Sequence, residues 1–418
     1  MNHARLDAAA VDAAADALRP VVRRTELEHS PRLSDLVGAS VSLKRENRQI
    51  TRSYKVRGAY HLISGLSEDE QARGVVCASA GNHGQGLAWS CARLGVHGRV
   101  FVPTTTPRQK RQRILALGEG RVELVVEGRS YDEAGAAARA DADRTGAVFV
   151  PPFDDARVVA GQGTIAPEID EQAGERLHTV LVPVGGGGLI AGLALWLKER
   201  RPEVRVVGVE PRGAASMTAA LAAGGPVALA EVDTFVDGAA VGRVGEVPFP
   251  IVRDLVDEVV TVDAGAICTE MLDLYQVEGI VAEPAGALAS AAVRSMAGQF
   301  PADAVVVCLV SGGNNDVSRY GEILERSLIH QGLRHYFMVT FPQEPGALRH
   351  FLDDVLAEGE DIVVFDYVKK NNRETGPALV GIELDDAAKL AGLLERMERS
   401  PLQIEQVPPG SPLFSFLM

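Results

Sequence analysis

From about residue 40 to 320, short runs of β-branched apolar residues alternate with longer segments whose apolar positions recur every three or four residues. The runs at 41–44, 75–78, 99–102, 122–126, 148–150, 179–184, 204–209, 259–262 and 304–310 predict strands, bounded as they are by glycine, proline and small polar residues. Between them, 82–94, 107–117, 131–145, 189–200, 264–278 and 284–300 have helical spacing. Such alternation predicts βα units and hence a mainly parallel sheet covered by helices on both faces. Ligands of such sheets sit at the carboxyl ends of the strands, so chemistry is expected at the strand-to-helix turns.

Past residue 330 the order changes to strand 334–341, helix 346–356, strands 361–368 and 378–384, helix 387–399 and a short strand 403–407. That βαββαβ order predicts a ferredoxin-like unit, with 318–331 as a connecting helix or linker. The expected division is therefore a large domain at 1–330 and a small one at 331–418.

A hydrophobic share of 46% and a charged share of 23% over 418 residues suit a soluble protein with two or three domains. The net charge of -14 argues against a nucleic-acid or anionic-membrane partner, and leaves room for small anions only where positive charge is local. The scattered cysteines Cys77, Cys91, Cys268 and Cys308 lack metal-ligand spacing, so no metal site is expected and they read as reduced thiols of a cytoplasmic protein. Neither a secretory h-region nor a membrane-length apolar run is present in the sequence.

Against this background the segment Ser53-Tyr54-Lys55-Val56-Arg57-Gly58-Ala59 places a lysine in an apolar, helix-like stretch. Lys55 must be solvated, paired or covalently engaged, because burying a free ammonium is costly. Three strand ends carry glycine-rich turns: Ser79-Ala80-Gly81-Asn82-His83-Gly84, Gly185-Gly186-Gly187-Gly188-Leu189 and Ser311-Gly312-Gly313-Asn314. Each is a nest of backbone N–H groups suited to an anion. The second turn also satisfies a dinucleotide fingerprint, Gly186-x-Gly188-x-x-Ala191 with Glu210 ending the next strand, so a nicotinamide-dependent oxidoreductase stays open.

These four motifs, in this order and spacing, resemble the fold type II pyridoxal-phosphate enzymes of the tryptophan synthase β-like type, and most closely the threonine dehydratases of the biosynthetic short form. The resemblance covers the chain from about residue 20. It implies a two-subdomain catalytic region in which Lys55 holds pyridoxal 5'-phosphate as an imine and acts as base. Asn82 would contact the ring hydroxyl, Ser311 the pyridine nitrogen, and Gly185, Gly186, Gly187, Gly188 and Leu189 the phosphate. The loop Ser79, Ala80, Gly81, Asn82 and His83 would receive the substrate carboxylate. The implied reaction is β-elimination of L-threonine to 2-oxobutanoate and ammonia, or of L-serine to pyruvate, at the entry to isoleucine synthesis. A catabolic threonine or serine dehydratase is the alternative within the family.

Serine racemases of this fold carry a second serine where Ala80 stands, so racemisation is expected to be weak. Relatives bind a divalent cation near positions matching Glu210, Ala214 and Ser216, with an acid at the last, and Ser216 puts that site in doubt. Gly242 stands where many dehydratases have lysine. The tail resembles a single ACT-like regulatory domain, with Pro345-Gly346-Ala347-Leu348 at its first turn, implying an amino-acid effector, isoleucine or valine, and a homotetramer. A third reading makes the tail the working part of a non-catalytic amino-acid sensor.

Overall fold

The computed structural model describes residues 6–367 and 373–417; Val368, the last residue of one expected strand, lies outside them. The chain divides into two compact units, one running to Asp316 and the other starting at Val317.

In the first unit the βα alternation produces two sheets rather than one. Its strands are β1 Leu27–His29, β2 Ser40–Lys44, β3 Val75–Ala78, β4 Gly98–Val102, β5 Val122–Val126, β6 Val148–Phe149, β7 Leu177–Pro183, β8 Arg205–Pro211, β9 Glu258–Val262 and β10 Val305–Leu309. The larger sheet has the order β1-β2-β10-β7-β8-β9 and the smaller β5-β4-β3-β6. All pairs are parallel except β1 with β2, which puts the one antiparallel strand at an edge.

The central strands β7 and β10 are apolar and buried almost throughout, as strands covered on both faces must be. Helix Gly188–Arg200, which follows β7, is buried along its length from Gly188 to Leu197. Its Ile190, Leu193 and Leu197 join Val180, Val182 and Val307 in one core, which anchors the glycine turn at its start. A second core, with Leu62, Cys77, Leu87, Val100 and Ile114, lies under the smaller sheet. The expected helix 284–300 is shorter, Pro284–Val293, with a 3-10 turn to Met296. Among the described residues no helix is long and apolar enough to cross a membrane, and the four cysteines are buried and not joined in disulfides.

The second unit has β11 Arg334–Pro342, helix Ala347–Val355, β12 Glu360–Tyr367, β13 Thr375–Leu384, helix Leu390–Arg399 and β14 Gln403–Gln406. The sheet order β12-β13-β11-β14 with antiparallel pairs is that of a ferredoxin-like unit. Both helices are strongly amphipathic and bury Phe351, Val355, Leu393 and Met397 against Phe337, Val339, Val380 and Ile382. The connecting helix Tyr320–His330 goes with this unit. Its Glu325 accepts a hydrogen bond from the Tyr336 hydroxyl at 2.6 Å and pairs with Arg334, both on β11.

Candidate active site

Lys55 opens helix Lys55–Ser64, and the loop before it is stitched to the turn after β10. Tyr54 donates its N–H to the Ser311 carbonyl at 3.1 Å, Ser53 bridges Gly312, and Gly313 donates to the Arg52 carbonyl at 2.9 Å. The Lys55 amine donates to the Pro152 carbonyl at 2.9 Å. Burial lowers its pKa to about 8, with the Glu283 charge working the other way. A lysine so placed is neutral and nucleophilic far more often than a solvated one.

Behind Lys55 the helix is fixed by buried charge. Arg57 holds Glu46 through two nitrogens, at 2.9 and 2.8 Å, and reaches Glu168 at 2.7 Å. Lys44 joins the same group through Glu168 at 2.6 Å and the Thr25 carbonyl at 2.8 Å. Burial opposes the charge on Glu46, and Arg57 outweighs it, so that carboxyl stays below its usual range. Paired in this way the charges can be buried; unpaired, none of them could.

The other turns converge on the same region. Asn82 starts helix Asn82–Leu94 after β3. Its amide nitrogen donates to a Glu283 carboxylate oxygen at 2.6 Å, and its amide oxygen accepts from Asn314 at 2.7 Å. Within the 79–83 turn, Gly81 donates its N–H to the Ser79 hydroxyl at 3.2 Å. The His83 ring turns inward, with Nε2 2.8 Å from the Val150 carbonyl. Since a carbonyl only accepts, Nε2 carries the proton, and Nδ1 is a buried acceptor without a partner. Burial and the nearby Lys55 charge lower the pKa of His83 to about 4, so the ring is neutral. Ser311 is buried, and its hydroxyl donates to the Ala285 carbonyl at 3.1 Å.

The four-glycine turn is a cradle that side chains would fill. A methyl on Gly186 would stand 2.3 Å from the Phe153 ring, and Gly187 has φ +93 with Met217 2.7 Å from where its methyl would be. Gly186 also accepts the Gly245 N–H at 3.1 Å. The first-turn N–H groups of helix Gly188–Arg200 lack intrahelical partners, as at any helix start, and suit a phosphate. An amine, a neutral hydroxyl and an anion cradle set around one cleft fit pyridoxal phosphate.

The dinucleotide reading fails on Glu210. Its carboxylate is fully buried and accepts the Met217 and Thr218 N–H groups at 2.6 and 2.9 Å and the Thr218 hydroxyl at 2.8 Å. It caps helix Ser216–Ala223 and has no access to a ribose. Ala214 and Ser216 flank that cap, and nothing in the structure explains glycine at Gly242.

Comparison with known proteins agrees with this geometry. Residues 18–312 match the family described as "Pyridoxal-phosphate dependent enzyme", and residues 325–417 match "C-terminal regulatory domain of Threonine dehydratase". The chain is 58% identical, over 99% of its length and 96% of the relative's, to "L-threonine dehydratase biosynthetic IlvA" of Mycobacterium tuberculosis. The chain belongs to the threonine dehydratases. The protein of the same description from Bacillus subtilis is 46% identical over 96% of this chain and 95% of its own. Among solved structures, threonine deaminase isoform 2 from Solanum lycopersicum, in its processed form, superposes with a TM-score of 0.73 at 40% identity, covering 77% of this chain and 93% of that one. Maize serine racemase gives 0.71 at 30% identity, covering 78% and 98%. As in other threonine dehydratases, the cofactor is pyridoxal phosphate.

Sequence reasoning missed Glu283, Pro152 and Phe153. For Glu283 a signal existed: a single acid between Ile280-Val281-Ala282 and Pro284-Ala285-Gly286, an apolar run ending at a helix start. Nothing local marks Pro152 or Phe153, whose role comes from the distant residues they touch.

Proposed function

We propose that this chain eliminates the β-hydroxyl of L-threonine, giving 2-oxobutanoate and ammonia, and converts L-serine to pyruvate by the same route. The observation that carries the reading is the Lys55 amine, partly neutral and held at the meeting of the three glycine turns. Pyridoxal phosphate supplies the electron sink for the pair left at the substrate's α-carbon. Lys55 would hold the cofactor, and as a free amine it would remove the substrate's α-proton as general base. The N–H groups of Gly185, Gly186, Gly187, Gly188 and Leu189 hold the phosphate. Asn82 would orient the cofactor ring, and the Ser311 hydroxyl, now bonded to the Ala285 carbonyl, would serve the ring nitrogen. A neutral hydroxyl there does not hold the ring nitrogen protonated, which favours fast elimination over transamination.

The turn from Ser79 to His83 receives the substrate carboxylate through its backbone. Ala80 offers a methyl where a second base would be needed, so the proton is handled on one face only and racemisation is slow. The test is release of 2-oxobutanoate and ammonia from L-threonine by the purified protein. Absence of both, in protein carrying its cofactor, would refute the reading.

We further propose that catalysis belongs to the large domain expected at 1–330, whose compact body ends at Asp316, and regulation to the small one expected at 331–418, with isoleucine, and secondarily valine, as effector. The regulatory-domain match and the ferredoxin-like unit support an amino-acid effector. A cytoplasmic homotetramer at the entry to isoleucine synthesis completes the proposal. Inhibition by isoleucine together with sedimentation as four subunits tests it.

A further inference from the structure

Glu283 immediately precedes helix Pro284–Val293 but does not cap it: its side chain makes no bond to that helix. It is only 6% exposed and lies among the turns of the cleft. Its carboxylate oxygen accepts from Asn82 at 2.6 Å, and its own N–H donates to the Gly312 carbonyl at 3.1 Å. A methyl on Gly312 would stand 2.2 Å from the same oxygen, and one on Gly238 3.5 Å from it. The carboxylate therefore touches the turn after β3, the turn after β10 and the loop around Gly238.

This placement settles which way the Asn82 amide points. Asn314 donates to the Asn82 oxygen at 2.7 Å, so that oxygen is an acceptor; Glu283, acceptor-only when ionised, takes one N–H. The second N–H of Asn82 is left for the cleft. The charged and titratable groups facing Glu283 are Lys55 and Tyr54 from the lysine helix and its loop, Asp237 from the Gly238 loop, and Lys110. Lys110 lies 3.0 Å from Asp237.

We propose that Glu283 is a positioning residue that acts through Asn82 on the cofactor ring and through its charge on the Lys55 amine. The proposal rests on the roles given above to Lys55 and Asn82. Two consequences separate it from a merely structural acid. Replacing the carboxylate by an amide gives Asn82 an uncharged partner that is no longer acceptor-only, so the bond that holds the Asn82 nitrogen weakens and the amide is kept in place mainly by Asn314. Removing the charge also removes an influence that favours the protonated amine. Burial, and then Asp237, raise the pKa of Glu283 to about 7, with Asn82, the Asn314 N–H and Lys110 opposing, so its charge changes within the neutral range.

The test uses the full-length, cofactor-loaded protein and its visible absorbance. In wild type the band is expected to change in position or intensity between about pH 6 and 8 as Glu283 ionises. In Glu283→Gln that pH-dependent change is expected to disappear and the band itself to shift at every pH. Glu283→Asp, which keeps the charge but falls short of Asn82, should retain the pH dependence and show the shifted band, and it serves where the glutamine variant fails to fold. A Glu283→Gln protein with the wild-type band and wild-type titration would overturn the proposal, even if its melting temperature fell. Lys55→Ala keeps the two readings apart: a yellow Lys55→Ala protein sinks the lysine assignment, whereas a colourless one beside an unchanged Glu283→Gln sinks only this proposal.

Discussion

The Lys55 amine and the Pro152 carbonyl stand 2.9 Å apart, joining the helix that opens with Lys55 to a segment ninety-seven positions further on. A carbonyl can hold either a neutral or a charged amine, so the contact orients Lys55 without fixing its protonation. The pKa is left to burial, which lowers it to about 8, and to Glu283.

Removing the amine should remove colour and activity together. Lys55→Ala is expected to purify without the visible imine band and to lose about 10²–10⁴-fold or more in kcat, the range for a general base. Absorbance and ammonia release check this. The fold should persist, because Lys55 stands at a helix start and the core residues Val56 and Ala59 are untouched.

The pH dependence of cofactor uptake follows from the same amine. Protonated lysine does not form an imine, so uptake by cofactor-free protein should rise with pH and level off above the amine's pKa. That plateau is expected above about 8, rather than above the ordinary 10.5. Stopped-flow absorbance over pH 6 to 10 measures it, and a rise continuing to pH 10 would contradict the assignment.

Breaking the buried charge group should be costly for stability. Arg57→Met leaves Glu46 and Glu168 facing Lys44 alone and is expected to cost about 3–5 kcal/mol in chemical denaturation. Adding Glu46→Met should restore part of the loss, since the stranded carboxylate is then gone. Equal losses in the single and double variants would refute this account.

The phosphate cradle predicts a loss of affinity with little change elsewhere. In Gly186→Ala the new methyl would stand 2.3 Å from the Phe153 ring, so the turn must shift, and the dissociation constant for pyridoxal phosphate is expected to rise at least about tenfold. Gly225→Ala, which has nothing within 4 Å of its methyl, is the control and should leave binding unchanged.

Regulation should leave with the second unit, provided the cut respects the fold. A chain ending at Asp316 is expected to release ammonia from L-threonine without responding to isoleucine. A chain ending at Gln331 keeps helix Tyr320–His330 but strips it of Tyr336 and Arg334, which bind its Glu325, and is expected to aggregate. Light scattering and inhibition curves on both chains test the difference.

Much of this was legible in the chain, for identifiable reasons. Strand β3 coincides with an apolar run because a strand buried on both faces carries little but apolar residues. The glycine turns could be read because glycine marks a close approach, as Gly186 does against Phe153. β1, three residues with intermediate and exposed positions, has no period to detect. The periodicity alone did not reveal the split into two sheets, which came only from the family resemblance: β2 pairs with β10 although more than two hundred and fifty residues separate them, and no local pattern encodes that partner. Glu283 escaped for the same reason, since its meaning lies in Asn82 and Gly312.

Pro152 and Phe153 are consecutive, yet one holds the Lys55 amine and the other walls the Gly186 turn. A dipeptide has a fixed span, so the amine end and the anion end of the cleft are tied to one short ruler. A cofactor analogue lengthened or shortened by a single bond between its aldehyde and its phosphate meets a site that cannot stretch to it. Selection for that length would then rest on the Pro152 carbonyl and the Phe153 ring together, two neighbours in the chain that serve opposite ends of the site.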